Sequence, residues 1–409
     1  MRAPALVLAG CLLVALAAVL VMVPFPVVEG LDPHVDVSRD FTAAELAREE
    51  AFHSALRPWG LGSLLLGLVV AAVLGLSPLG ARLVGALPGH WVVRAVLGTA
   101  VLLLVGRLVT LPLDARAEQA LREYGLSTQT WLGWLDHQAR GFGVGLVMTL
   151  LLLLPLLALA RRLPDGWWLP GAAVAAGLVL LGSFVYPVVV EPAFNRFTPL
   201  EAGELREDLL ALARRDGVRV EDVLVADASR RTTALNAYVS GFGSTRRIVV
   251  YDTLLEKATD REVELVVAHE LGHAKRNDVL VGTVVGALAA AAGVCALFLL
   301  LGSGGVLRRV GAESAGDPRV VPLLLFLGIA VPLLVAPVTN LVSRHVETRA
   351  DLHSLELTGD VGTFVESERR LATTNLSDLK PNPLLYAFFA SHPSAPERIA
   401  FARAWAARR

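Results

Sequence analysis

Apolar residues along this chain gather into long runs, and the polar residues between them collect into two blocks. Seven runs, near residues 4–27, 59–79, 91–113, 142–162, 167–190, 279–303 and 319–343, reach the roughly 20 residues that a helix needs to cross a bilayer. The polar blocks, 191–278 and 344–409, follow the fifth and seventh runs. A hairpin formed by runs six and seven would put both blocks on one side of the membrane. The chain therefore divides into a five-helix region (1–190), a first polar block (191–278), a helical pair (279–343) and a second polar block (344–409). The first run has the position of a signal peptide. Its apolar stretch is too long for that, however, and Val27-Val28-Glu29-Gly30 is a poor cleavage site, so a retained helix is expected. The third run carries Arg94 and Arg107. Either their side chains snorkel to the interface or they face a polar cavity inside the bundle.

The first block has its own periodicity. Residues Glu204 to Arg215 bring apolar side chains back at helical spacing, and Gly217 ends the pattern. Val218 to Ala226 reads as a strand. Asn236 to Gly243, a turn at Ser244-Thr245, and Arg247 to Tyr251 read as a hairpin. The edge of such a strand can pair with an extended peptide. Asn236 either holds a peptide amide or merely starts the strand.

Composition agrees with a membrane protein: of 409 residues, 54% are hydrophobic and only 18% charged. The net charge of −1 gives no basic field for nucleic acid. The two cysteines, Cys11 and Cys295, lie in apolar runs and imply neither a disulfide framework nor a cysteine metal site. Lysine occurs at 257, 275 and 380 alone, against abundant Arg, Ala, Leu, Gly and Val, a bias that points to a bacterial source. Arginines in the short loops fall on both sides, so the positive-inside rule does not fix orientation.

The strongest chemical signal is His269-Glu270-Leu271-Gly272-His273. On a helix, residues four apart share a face, so both imidazoles can grip one zinc ion. Glu270 then stands where it can take a proton from water activated by the metal. A half-buried helix bearing these polar groups needs a partner for them, and a metal is the simplest one. A catalytic site requires a third ligand. Glu347 and Asp351, also four apart, share a helix face; one carboxylate can bind zinc while the other orients a ligand histidine. His345 and His353 are rivals on spacing alone. Near the C-terminal end, His392 and Arg398 are candidates to steady an oxyanion, though Arg398 could equally pair with a surface carboxylate.

Taken together, these blocks resemble the M48 metallopeptidases, specifically the Ste24 group, the type I CAAX prenyl proteases. Glu191 to Leu200 resembles that group's signature after the fifth span. Asn236-Ala237-Tyr238, Gly241-Phe242 and Arg247-Ile248-Val249 resemble its substrate-edge strand. His269 to His273 and Glu347…Ala350-Asp351 resemble its zinc site, and His392 with Arg398 its C-terminal active-site pair. One departure is His392-Pro393-Ser394, where the family commonly has His-Pro-Pro.

The resemblance implies a mainly α integral membrane protein with seven transmembrane helices around an intramembrane chamber. It adds a small α+β gluzincin-like zinc protease domain facing the cytosol. It further implies one Zn2+ held by His269, His273 and Glu347, with Glu270 as base and Asp351 behind the ligands. His392 and Arg398 would act at the oxyanion, and Asn236, Ala237 and Tyr238 would bind substrate. Expected partners are the lipid bilayer and a peptide or membrane-protein substrate, prenylated or otherwise hydrophobic; no nucleic acid is expected. A bacterial cytoplasmic membrane is the expected location. An HtpX-like quality-control protease would share the zinc site but have fewer spans. A non-catalytic zinc-containing scaffold or transporter would have no use for Glu270.

Overall fold

Each of the seven apolar runs becomes a helix: Arg2–Val21, Ala43–Leu76, Trp91–Glu123, Trp131–Arg162, Trp168–Phe194, Asp278–Leu301 and Pro318–Thr358. The structure, a computed structural model, describes every residue except 1, 24, 26, 242, 244 and 245. The Ser244-Thr245 turn, Phe242 and the two positions near the end of the first run thus lie outside the described residues. Large apolar side chains such as Leu13, Leu65, Leu181 and Leu334 point outward from these helices, as helices surrounded by lipid require. The inner faces of the bundle pack Leu102, Leu156, Leu157, Val294 and Leu323 among others. The first helix lies along the sixth. A purely apolar cavity of about 870 Å³ lies between the fourth to seventh helices, lined by residues such as Leu152, Val179, Leu297 and Leu327.

Several helices outrun their apolar stretches, all on the same side. The second begins at Ala43, where Thr42 and Glu45 form a reciprocal capping box. The seventh continues without a break to Thr358 and stops at Gly359, whose φ of +68° suits glycine. The expected boundary at 343 therefore has no counterpart in the backbone: nothing between Ser343 and Thr358 breaks a helix. Connecting segments on this side are tied to the polar blocks. Thr128 Oγ1 donates to the Ser229 carbonyl at 2.8 Å, Thr232 Oγ1 donates to Leu126 at 3.0 Å, and Arg403 pairs with the buried Asp40. Arg107 is held by Asp114 at 2.7 Å and lines a cavity of about 350 Å³ between helices, while Arg94 is exposed.

The first polar block folds into a four-stranded sheet: β1 (Phe197–Pro199), β2 (Asp222–Ala226), β3 (Ala237–Ser240) and β4 (Arg247–Tyr251). Its order is β1-β2-β4-β3. β1 runs antiparallel to β2, β2 parallel to β4, and β3 antiparallel to β4 with Tyr238 opposite Val249. β2 is shorter than Val218 to Ala226. Residues 217 and 218 instead close the helix Glu204–Arg215, where Val218 N–H bonds the Ala213 carbonyl past Gly217 at φ +75°. Under the sheet, Leu209, Val223, Ile248 and Val250 pack with Val263, Val267 and Leu271 of the helix Asp260–Arg276, which carries the His-Glu-x-x-His motif.

That helix has a strong start and a sharp end. Thr259 and Glu262 cap it reciprocally, Thr259 N–H donating to Glu262 at 2.8 Å, and Arg370 donates to the other oxygen of Glu262 at 2.7 Å. Asn277, with φ of +55°, then turns the chain directly into the sixth spanning helix. Burial works against the charge of Glu262, but the bonds from Arg370 and Thr259 outweigh it and hold its pKa below the usual carboxylate range. Such a group stabilises the fold fully above its unfolded pKa and loses that contribution as pH falls through the folded value. Glu262→Ala should therefore lower stability at neutral pH by about 1–3 kcal/mol. In thermal unfolding of the detergent-solubilised chain, the gap between wild type and variant should close below about pH 4.5. A gap that does not change with pH would remove the ionised carboxylate from this account.

Candidate metal centre and substrate edge

Two helices from separate blocks meet at the centre. The motif helix crosses the seventh spanning helix where Gly272 lies against His353; a Cβ on residue 272 would stand 3.1 Å from that ring. This close approach brings Glu347 and Asp351 under the two histidines. His269 Nε2 lies 3.2 Å from His273 Nε2 and 3.2 Å from a Glu347 oxygen, and His273 Nε2 lies 3.6 Å from the other Glu347 oxygen. A tetrahedral ion with ligand bonds of about 2.0–2.1 Å sets its ligand atoms about 3.3 Å apart.

The outer nitrogens decide what the inner ones can do. His269 Nδ1–H donates to Asp351 at 2.8 Å, and His273 Nδ1–H donates to Asp278 at 2.9 Å. With those protons outside, two Nε2 lone pairs and a carboxylate converge on one point, which a cation relieves. Burial alone would lower both imidazoles. Instead, bonds to Asp351 and Glu347 raise His269 to about 10, and bonds to Asp278 and Glu347 raise His273 to about 9. The pocket thus strongly favours positive charge at this point, and the donor set fits a metal ion. His345 and His353 lie outside it: His345 bonds the Leu341 carbonyl at 2.9 Å, and His353 bonds Asp216 at 3.0 Å. A second grouping, Glu49, His53 and Asp378, is already internally paired, through Arg57 on Asp378 and His53 on the Leu376 carbonyl.

Each orienting carboxylate is itself gripped by an arginine. Arg349 contacts Asp278. Arg398 takes Asp351 with Nε at 2.9 Å and also with Nη2, while Nη1 reaches the buried Glu368 at 2.8 Å. Arg398 thus pairs with interior carboxylates and not with a surface one, and three of its nitrogens are committed behind His269. Burial pushes Glu368 up to about 7 despite that guanidinium. Asp278, Arg349 and Glu368 had no signal in the sequence. Asp278 is the last polar residue before an apolar run, and Glu368 sits in an ordinary amphipathic helix.

The centre opens into a cavity of about 740 Å³ lined by Glu270, His392, Arg398 and Asn236 and, opposite, by Leu56, Leu61 and Leu64 of the second spanning helix. Burial raises the pKa of Glu270 above the usual carboxylate range. No hydrogen bond ties its carboxylate among the described residues. His392 is exposed to the cavity, with Nε2 3.4 Å from Glu347. Its pKa is lowered, chiefly because the cavity walls keep part of it from water, an effect that Glu347 only partly offsets.

β3 is the edge strand beside this cavity. Tyr251 N–H donates to the Asn236 carbonyl at 3.0 Å. In antiparallel pairing the inward-bonded residues alternate, so the peptide groups of Ala237 and Val239 face the open edge. Of the three expected substrate residues, Asn236 lines the metal cavity. Ala237 is buried against the motif helix, and Tyr238 turns to a separate recess.

Comparisons with known proteins place this arrangement in a family. Residues 199–406 match the model of peptidase family M48, and residues 60–196 match that of the CAAX prenyl protease N-terminal region, five membrane helices. An uncharacterized metalloprotease of Bacillus subtilis, YhfN, is 36% identical over 301 residues, covering 73% of this chain and 71% of that protein. A CAAX prenyl protease 1 homolog of Arabidopsis thaliana is 35% identical over 54% of this chain and 52% of its own length. The crystal structure of Ste24p from S. mikatae superposes with a TM-score of 0.80 at 21% identity, covering 98% of both chains, which shows a shared fold. The chain belongs to peptidase family M48 and is a membrane-embedded metalloprotease.

Removing an orienting carboxylate should loosen the ligand it holds. Asp278→Ala is expected to weaken metal affinity by about 10–100-fold, measured by chelator competition on the purified chain. An unchanged affinity would mean that the Asp278 bond does not orient His273.

Proposed function

We propose that this M48 peptidase holds a single zinc ion through His269, His273 and Glu347 and hydrolyses internal peptide bonds of membrane-associated substrates. The observation that carries this is the convergence of three ligand atoms at tetrahedral spacing beside an untethered carboxylate in the same cavity. A zinc ion held there supplies Lewis acidity towards the scissile carbonyl and the attacking water.

The chain's own groups do the rest. Glu270, with its pKa raised by burial, accepts the proton of the attacking water and returns it to the leaving amine. Asp351 and Asp278 keep each ligand imidazole in the tautomer that presents Nε2 inward. Arg398 acts through Asp351. His392, the freer of the C-terminal pair and a lining residue of the same cavity, steadies the oxyanion. Substrate backbone adds to the open edge at Ala237 and Val239, with Asn236 at the end nearest the metal centre.

Leucines of a spanning helix line the cavity, so the substrates it suits are hydrophobic segments reaching the site from the membrane. Several relatives are named CAAX prenyl proteases, which makes prenylated C-terminal tails one substrate class to test. The Bacillus relative and the scarcity of lysine support a bacterial cytoplasmic membrane, and the resemblance to the prenyl proteases supports a cytosolic catalytic side.

Glu270→Gln tests the mechanism. The variant should retain one zinc per chain while peptide hydrolysis falls by about 10²–10⁴-fold. Zinc retention with full hydrolysis would overturn the role of Glu270. Zinc retention in a wild type that cuts no peptide would favour a structural metal.

A further inference from the structure

A second recess lies at the far end of β3 from the metal centre. It has a volume of about 380 Å³ and is lined by Ser183, Tyr186 and Glu191 of the fifth spanning helix, by Tyr238 and Ser240 of β3, and by Val279. The helix is locally widened here into a π-helical turn, Tyr186–Val190, a feature common at functional sites. Glu191 follows that turn. It is only 8% exposed. Among the described residues its carboxylate has one hydrogen-bond donor, Ser240 Oγ, 3.1 and 3.2 Å from its two oxygens. Arg247 stands opposite Ser240 in the sheet and acts on Glu191 by charge without a hydrogen bond. A buried carboxylate with a single hydroxyl donor keeps most of its acceptor capacity unused, which is costly. That unused capacity lines the recess.

We propose that this recess is a subsite for a cationic substrate side chain, lysine or arginine, on the amino-terminal side of the scissile bond. The inference rests on the edge-strand reading above. A peptide laid antiparallel on β3, with its scissile bond at the Asn236 end, runs its upstream residues towards Ser240. At about 3.4 Å per residue, the recess meets a side chain about three to five positions before the cut. Strand side chains alternate between faces, so one of these positions points to the face shared by Tyr238, Ser240 and Glu191. The head of a lysine or arginine there replaces the missing donors of Glu191 with charge-assisted bonds. The subsite sits where the fifth and sixth spanning helices enter the catalytic side, so a substrate with a basic residue just outside an apolar segment fits both cavities.

The test uses the zinc-loaded full chain in detergent and peptides that differ at the third to fifth upstream positions, bearing Lys, Arg, Ala or Glu. At one of these positions, kcat/KM for Lys or Arg should exceed that for Ala by about tenfold, with Glu lowest. In Glu191→Gln the ratio of Lys to Ala peptides should fall to about one, while Glu191→Asp should keep part of it. Equal rates across the wild-type series, or a lysine preference unchanged in Glu191→Gln, overturn the subsite. The wild-type series decides the matter by itself if substitution at 191 unfolds the chain. Failure to cut any peptide of the series would instead sink the endopeptidase reading, and the subsite with it.

Discussion

The hydrogen bond between His269 and Asp351 joins two helices that the sequence separates by a complete excursion across the membrane and back. His269 lies near the end of the first polar block and Asp351 near the start of the second, yet the donor–acceptor distance is 2.8 Å and Asp351 is 1% exposed. A carboxylate so deep is tolerable because Arg398 grips it from the other side. Loss of Arg398 would leave that buried carboxylate with His269 alone against its charge, and breaking such a buried pair costs about 3–5 kcal/mol. The orientation of His269, docking of the C-terminal helix through Arg398, and the contact of the motif helix with the seventh spanning helix therefore meet at one carboxylate. Gly272 serves the same contact, since a side chain there would push the two helices apart.

The membrane segments and the catalytic blocks are consequently one mechanical object. The seventh helix carries Glu347 and Asp351 on an unbroken extension of its spanning part, and the sixth starts at Asp278, which holds His273. The turn at Asn277 leaves no linker between the motif helix and the bilayer. A shift of either spanning helix is transmitted directly to Glu347 or to His273. On the far side of the cavity, the second spanning helix supplies Leu56, Leu61 and Leu64, so the membrane region also shapes what the site can hold.

Much of this was legible in the sequence because it obeys a short period. Apolar runs of bilayer length gave seven spans. Spacing of four put His269 with His273 and Glu347 with Asp351, and β-prone runs gave β3 and β4. The rest depends on contacts with no local period. His345 and His353 have plausible spacing, but Leu341 and Asp216 take them. Asp278 and Glu368 acquire their roles from helices remote in sequence. The continuation of the seventh helix past 343 was hidden because a change from apolar to polar residues marks the membrane surface, not the end of hydrogen bonding. Val218 looked like the start of a strand, but its N–H closes a helix.

Charge balance explains why so many acids gather around two histidines. Glu270, Glu347, Asp278, Asp351 and Glu368 bring five carboxylates to the centre, and Arg349 and Arg398 bring two permanent cations. Three negative charges are then left if every acid is ionised. In a buried site that excess is expensive. It can be met by protons on the imidazoles, as their raised pKa values register, or by a dication, which leaves a single negative charge. The acid best able to carry or give up that last charge is Glu270. Burial and Glu347 favour its proton, while His269, His273 and Arg398 oppose it. The other four carboxylates are each held by an arginine or a histidine. Glu270 alone of the five has no such tie among the described residues, which is what the proposed role of proton carrier requires.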